Sequence, residues 1–480
     1  MKKQAFNPYL PSYEYIPDGE PHIFDGRLYI YGSHDRFNGL NFCLNDYVCW
    51  SAPIDDLAAW RYEGVIYRKI QDPDGRDHSI LNGMAAPDVC MGPDGRYYLY
   101  YFIGGTGMIS VAVCDLPAGR YQYLGHVQYQ DGVSIGKRKE PLQFDPGIFA
   151  DEDGRVYLYS GFGLSSNPLL LRGQRPSIHG PMCYELEKDM LTVKHGPKYI
   201  GVKGEKEAIG TPYEGHAFME ASSMRKFQNT YYFIYSSLLS HELCYAVSKS
   251  PTKGFRYGGI LVSNGDIGLY GREKKEAVNY TGNTHGSLIE IKGKYYVFYH
   301  RHTNRKQFSR QACAEEICFK DGYFQQAEIT SCGLNGEPLK GKGIYEARIA
   351  CHLTSRKGAR WYWALKGPKG IHPYFTQTGG DRENKPDQYI ANIKDGAVIG
   401  FKYFDFTDSK SIAVKVKGKG KGYFTVSTQP GGSPYVRIPV AVNGEKQVFE
   451  APINSLKGVK ALYFTYHGRG RLAFISFKLG

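Results

Sequence analysis

Five ionisable residues recur at nearly one point of a repeating pattern, and together they could do acid–base chemistry. Asp18, Asp88, Asp145, Glu220 and His285 stand 8, 7, 9, 9 and 8 residues ahead of the turn residues Gly26, Gly95, Gly154, Asn229 and Gly293. One acid near a turn carries no weight, because Asp favours turns and caps. Five at matched offsets do, since gathering like charges is costly unless they act together. Two carboxylates across a small cleft are the minimum for cleaving a glycosidic bond. One, held protonated, donates to the leaving oxygen, and the other activates water or attacks the sugar. A third acid would raise the donor by like-charge repulsion. Glu220 follows the apolar His216-Ala217-Phe218-Met219, which favours a neutral acid. Asp18 lies in the small bend Pro17-Asp18-Gly19, where an ionised base is comfortable.

The elements that must position these groups are hairpins. Each copy is a short extended run, a turn containing Gly or Asn, and an aromatic strand such as Tyr97-Tyr98-Leu99-Tyr100-Tyr101-Phe102. Glycine supplies the positive φ that tight hairpin turns require. Successive turn residues are 69, 59, 75 and 64 positions apart, enough for four short strands per unit. Radially repeated four-stranded sheets make a β-propeller, and five copies imply five blades. If the first strand of each unit is innermost, all five groups point at one axial pocket. Tyr pairs such as Tyr97-Tyr98 and Tyr231-Tyr232 belong in the blade core. Phe37, Phe149 and Phe218, near the rim or axis, are the candidate sugar platforms.

Composition narrows the class. The chain has 480 residues, 14% of them aromatic, with 58 Gly, and a net charge of +13. This size implies one large and one smaller domain, and the aromatic and Gly content favours strands and tight turns. The excess charge is diffuse, which argues against a nucleic-acid partner. The Lys415–Lys421 run, alternating with Gly and Val, reads as an exposed strand edge and turn. No apolar run reaches membrane-span length. The start Met1-Lys2-Lys3-Gln4-Ala5-Phe6 has no apolar stretch behind its lysines, so a cytoplasmic location is expected. Ten Cys without metal spacing read as reduced, mostly buried thiols.

The five-unit pattern resembles the five-bladed propeller glycoside hydrolases of family 43, which include β-xylosidases and α-L-arabinofuranosidases. The resemblance rests on Pro17-Asp18 with His22-Ile23-Phe24, on Ala86-Pro87-Asp88-Val89, on Phe218-Met219-Glu220-Ala221-Ser222 and on Thr284-His285-Gly286-Ser287. It spans about residues 7 to 325. It implies Asp18 as general base, Glu220 as general acid, and Asp88 as the acid that tunes and orients Glu220. It also implies His285 as an axial histidine holding a calcium ion or a water network, and Arg310 as a ligand of sugar hydroxyls. A satisfied buried histidine is the competing reading of His285, and no compact Asp/Asn calcium loop accompanies it. No cofactor is required. Alignment on the acidic-Pro pair Glu20-Pro21 would make Glu20 the base instead of Asp18. Asp145-Pro146 resembles a further acidic position, read here as a structural turn. Relatives of this kind are inverting, with roughly 6.5–9.5 Å between the carboxyl groups.

The expected architecture is all-β: a five-bladed propeller over residues 1–328 and a jelly-roll-like β-sandwich over 329–480. The second part resembles family-6-like carbohydrate-binding modules. Its Trp361-Tyr362-Trp363 cluster would be a sugar platform or a face packed on the propeller. The expected substrate is an oligosaccharide ending in arabinofuranose or xylose, a choice left to variable blade loops. The alternatives are a non-catalytic sugar-binding propeller and a glycosidase for another sugar such as galactose. A retaining fructosidase is disfavoured, because a Trp-Met-Asn-Asp-Pro-like motif is missing.

Overall fold

The computed structural model describes residues 3–75, 83–164, 174–359, 370–383 and 386–480. Four antiparallel sheets of four strands come first, each in sequential order. Blade 1 is β1 (Glu20–Phe24), β2 (Arg27–Tyr31), β3 (Tyr47–Pro53) and β4 (Arg61–Tyr67). Blade 2 is β5 (Met84–Met91), β6 (Tyr97–Ile103), β7 (Ile109–Cys114) and β8 (Gln122–His126). Blade 3 is β9 (Gly147–Ala150), β10 (Val156–Ser160), β11 (Met182–Leu186) and β12 (Val193–Tyr199). Blade 4 is β13 (Phe218–Phe227), β14 (Thr230–Ser237), β15 (Glu242–Ser248) and β16 (Arg256–Ser263).

Blade 5 departs from the four-strand expectation. It has only β17 (Leu288–Ile291), β18 (Lys294–His302) and β19 (Arg310–Ile317). The N-terminal segment lies along β19 in place of a fourth strand. There the Asn7 side chain bonds both the N–H (3.0 Å) and the C=O (2.9 Å) of Ala314, and the Tyr9 N–H bonds the Ala312 carbonyl (3.3 Å). An amide side chain offers N–H donors and a carbonyl acceptor, so it can stand in for a backbone unit. This contact closes the ring.

The aromatic strands form the walls between blades. Tyr31, Tyr47, Tyr100, Tyr157, Tyr159 and Tyr232 are all buried, as are Tyr97, Tyr98 and Tyr231. Two turn types set the hairpins. Asp25-Gly26, Gln228-Asn229 and Lys292-Gly293 each have positive φ at both positions, as two-residue turns of the mirror-image class require. Blades 2 and 3 use longer turns, in which Asp94 and Asp153 each accept the N–H of the Arg two residues on.

After the short hairpin β20 (Phe319–Lys320) and β21 (Tyr323–Phe324), the chain enters a seven-stranded sheet that folds over into a β-sandwich. Its strands are β22 (Leu339–Lys340), β23 (Gly343–Glu346), β24 (His352–Thr354), β25 (Tyr374–Gln377), β26 (Gln388–Ile393), β27 (Val398–Ser427) and β28 (Val436–Leu479). Phe401, Phe424, Phe464, Phe474 and Phe477 fill its interior. The expected boundary at 328/329 falls between β21 and β22. The Lys415–Lys421 run is neither an edge nor a turn. It is a central stretch of β27, paired on both sides with different parts of β28. Trp361-Tyr362-Trp363 lies outside the described residues. All ten cysteines are unpaired, and no helix among the described residues is long and apolar enough to cross a membrane.

Candidate active site

The starts of the inner strands converge, and the ionisable groups there fall into two layers. Asp18 and Asp145 both take positive φ (57° and 45°), as do Ala86 (45°) and Ala221 (68°) on the other two blades. Such backbone is costly for a residue with a side chain and is held where the surroundings over-determine it. These four residues therefore mark one equivalent position on blades 1 to 4. Asp18, Asp145 and Glu220, the residue before Ala221, occupy the upper layer with His285. Residues two further along each strand, about 7 Å deeper, form the lower one: Glu20, Asp88, Ser223 and Ser287. In that layer the Ser223 hydroxyl bonds Glu20 Oε2 (3.0 Å) and Ser287 Oγ (2.7 Å).

Glu220 is the only partly exposed carboxyl of the four acids and makes no hydrogen bond among the described residues. Burial of its carboxyl, and then the charge of Asp145, push it up to about 8. A neutral carboxylic acid at pH 7 is the result. Asp145 accepts the Ala221 N–H (3.2 Å) and faces His285 Nδ1 (3.4 Å). Burial and the nearby Asp18 outweigh the contribution of His285, so Asp145 also lies above the usual carboxylate range. Burial alone would lower His285, but the Asp145 hydrogen bond and the charges of Asp145, Asp18 and Glu20 push it up to about 9. The imidazolium is the cation that lets several acids share the axis.

Asp18 is held from the side of blade 5. Arg310 Nη1 bonds Asp18 Oδ1 (2.9 Å), and His300 Nδ1 lies 3.4 Å from both the Asp18 amide nitrogen and Oδ1. The rest of the guanidinium is bidentate on Asp35, with Nε on Oδ2 at 2.9 Å and Nη2 on Oδ1 at 3.0 Å. Arg310 is 2% exposed, with guanidinium donors on Asp18, Asp35 and Cys43. Arg310 thus meets the site through Asp18, which it positions, and its second Nη1 hydrogen has no partner among the described residues for the expected sugar hydroxyl to displace.

Asp88 also differs from expectation. It is fully buried, its Oδ1 takes His22 Nε2 (2.7 Å) and the Val89 N–H (2.8 Å), and its Oδ2 takes the Ile148 N–H (2.8 Å). Burial works to raise it, but these bonds and the His22 and Arg225 charges bring it below its ordinary value. Asp88 is thus a strut in the lower layer, and Asp145 is the carboxylate acting on Glu220. Glu20 shares that lower layer, with Oε2 on Arg225 at 2.5 Å and on Ser223. That placement favours Asp18 over Glu20 as the upper-layer base.

The aromatic candidates divide. Phe218 is fully buried among Phe233 and Tyr235, because a bulge between Phe218 and Glu220 breaks the alternation that would have put both on one face. Phe149 packs edge-on against Tyr231 in the wall between blades 3 and 4. Neither is a platform. Phe37 is partly exposed beside Tyr15 and remains a candidate. His285 Nδ1 and Nε2 face Asp145 Oδ2 at 3.4 Å and Glu20 Oε1 at 3.9 Å. Glu20 Oε1 is buried without a hydrogen-bond partner among the described residues, so this is the place where the expected calcium ion or water network would be held.

Residues of the C-terminal domain also brace the site, which the sequence reading missed. Between β25 and β26, Asp381 accepts the Phe37 N–H (2.6 Å) and Asn45 Nδ2 (2.9 Å), while Arg382 contacts Glu14 and lies 3.0 Å from His34 Nε2. Asn45 in turn bonds the Asp35 carbonyl (3.2 Å). From β25, the Phe375 carbonyl accepts the Asn304 N–H (2.7 Å) on the loop before Arg310. Both loops that deliver the Asp35–Arg310 pair are therefore anchored on the sandwich.

Comparison with known proteins agrees with this architecture. The family model described as glycosyl hydrolases family 43 matches residues 17–324. A xylosidase/arabinosidase of Thermoclostridium stercorarium is 51% identical, covering 100% of this chain and 99% of the relative. A β-xylosidase of Xylanibacter ruminicola is 29% identical over 60% of this chain and 88% of its own. The solved structure of RS223 β-xylosidase has 26% identity and a TM-score of 0.50, covering 65% of this chain and 96% of that one. The matched span runs from just before Asp18 to the end of the propeller and takes in every group of both axial layers, so the chain belongs to glycoside hydrolase family 43.

Proposed function

We propose that this enzyme is an exo-acting, inverting glycosidase that removes a terminal pentose, β-D-xylose or α-L-arabinofuranose, from oligosaccharides. Glu220 donates its proton to the leaving oxygen. Asp18, aimed by Arg310 and His300, takes a proton from the water that attacks the anomeric carbon. Asp145 keeps Glu220 protonated between turnovers, and His285 balances the charge of Asp145 and Asp18. The observation that carries this reading is the pairing of a partly exposed acid pushed up to about 8 with a buried carboxylate ion-paired to Arg310. The relatives' xylosidase and arabinosidase names support the sugar.

A panel of aryl glycosides tests it. The β-xyloside or α-arabinofuranoside should turn over fastest, Asp18→Asn should remove that activity, and Glu220→Gln should remove most turnover of the matching oligosaccharide, whose leaving group needs a proton. Preference for a hexoside, or near-wild-type rates for either variant in its own assay, would overturn the proposal.

A further inference from the structure

The C-terminal sandwich carries a charge asymmetry that hydrolysis does not use. The excess charge is not diffuse, contrary to the expectation from composition: residues 386–480 hold 14 Lys and Arg against 6 Asp and Glu, so one fifth of the chain supplies most of its +13. Lys415, Lys417, Lys419 and Lys421 alternate along β27 with Val416, Gly418 and Gly420, and Val414, Val416 and Phe424 point into the core. The lysines therefore share the outer face, about 7 Å apart along the strand. On the neighbouring stretch of β28, Arg471 lies directly opposite Lys419, and Arg469 opposite Lys421. Lys415, Lys419, Lys421, Arg469 and Arg471 are exposed and form no ion pair with a carboxylate among the described residues. Asp387, the acid bordering the row, is held by Lys446.

Like charges directly opposite on adjacent strands destabilise a sheet. Here that occurs at two successive same-face pairs with no internal compensation, where neutral residues would fold better. Such a local cost points to a ligand that supplies the missing charge. The ligand is not one recognised by stacking. On this face the ring of Tyr423 is covered by the Arg437 guanidinium at 3.8 Å and by the stacked His467 ring at 5.0 Å. A neutral sugar ring or an unstacked base would find no open platform on Tyr423, an aromatic ring beside these cations among the described residues. What the face offers is a row of cations, flanked by Asn443 opposite Lys419.

We propose that this face binds a sugar chain bearing uronic-acid carboxylates, a glucuronic-acid-substituted xylan in particular. The xylan backbone rests on the pentosidase reading above; the carboxylates rest on the sheet alone. Carboxylates borne along the chain would meet the lysine and arginine rows, and the propeller would then work on chain ends held near it.

The test uses the full chain in gels and titrations with glucuronoxylan, neutral arabinoxylan, polygalacturonate and duplex DNA, at low salt and at high salt. The variant combines Lys419→Gln, Lys421→Gln, Arg469→Gln and Arg471→Gln. Wild type should bind glucuronoxylan more tightly than arabinoxylan, and the variant should lose about tenfold or more of that affinity, with a weaker salt dependence. Its melting temperature should rise, as relief of the opposed cations requires, and its aryl-pentoside turnover should stay at the wild-type level. Preference for polygalacturonate would keep the uronate site but remove the xylan backbone. Equal binding of arabinoxylan, no effect of the variant, or tighter binding of DNA than of either acidic polysaccharide would overturn the proposal. If the wild type fails on aryl pentosides yet binds glucuronoxylan through these residues, it is the pentosidase reading that fails.

Discussion

Asp145 accepts the backbone N–H of Ala221, the residue next to Glu220, so blade 3 places a carboxylate against the strand that carries the acid. Removing that charge should lower Glu220. Activity needs the protonated acid and is lost as pH rises through its value, so Asp145→Asn should move the alkaline limb of the kcat/KM profile to lower pH, by about one unit. Asp88→Asn should leave that limb in place and lower the melting temperature instead, because its amide keeps only one of the two acceptor oxygens that serve His22 and the Val89 and Ile148 amides.

Glu220→Gln removes proton donation and leaves the base intact. Its rate should fall about 100- to 10,000-fold on oligosaccharides, whose leaving group needs a proton. The loss should be much smaller on an aryl glycoside with a good leaving group such as dinitrophenolate. A comparison of the two substrates in one variant checks the role, since a merely misfolded enzyme would lose both equally.

Arg310→Met should do two things. It releases Asp18, lowering kcat more than it raises KM, and it leaves Asp35 buried without its cation. Breaking a buried pair from one side costs about 3–5 kcal/mol, so the melting temperature should drop by several degrees. Circular dichroism melts with steady-state kinetics read both effects.

Several buried groups give stability the same pH dependence. Glu220 and Glu315 are each raised to about 8, first by burial, so between their unfolded range near 4.5 and about 8 the folded state binds more protons. Their stabilisation relative to the unfolded chain is therefore lost as pH rises through that window. His285, raised to about 9, contributes fully below about 6.5 and loses its contribution as pH rises to 9. Below about pH 6.5 the buried histidines His34, His302 and His352, lowered by burial, act in the opposite sense, so the melting temperature should fall from pH 7 to pH 9, and Glu315→Gln should flatten that fall.

Asp381→Ala cuts the sandwich's hold on Phe37 and Asn45. The loop that presents Asp35 to Arg310 should loosen, and kcat/KM should fall about tenfold, as misplacement of a catalytic group by a fraction of an ångström does. Asp381→Glu should recover part of the loss.

The repeat, the blade count and the meeting of Asp18 and Glu220 at the axis were legible because inner-strand spacing survives insertions elsewhere. The layering was nearly legible too. Blades 2 and 3 share one turn type, and counted from it Asp145 stands 9 residues ahead of Gly154 while Asp88 stands only 7 ahead of Gly95. Two residues along a strand return to the same face one step deeper. The difference of two, read as scatter, was the signal that Asp88 belongs below Asp145. Blades 1, 4 and 5 use the shorter turn, and there Asp18, Ala221 and His285 all stand 8 ahead. Phe218 misled for a different reason, since a bulge resets the alternation and no local residue type announces it. The Asp381 and Arg382 contacts join positions more than 330 residues apart from Phe37 and Glu14, and nothing short-range in the chain marks such a pair.

The central claim is that Asp18 activates water for a single displacement assisted by Glu220. Proton NMR of the first sugar released from an aryl β-D-xyloside or α-L-arabinofuranoside tests this most directly. The account predicts the inverted anomer, α-xylose or β-arabinofuranose, before mutarotation. The retained anomer would mean that a carboxylate attacks the sugar, and would contradict it.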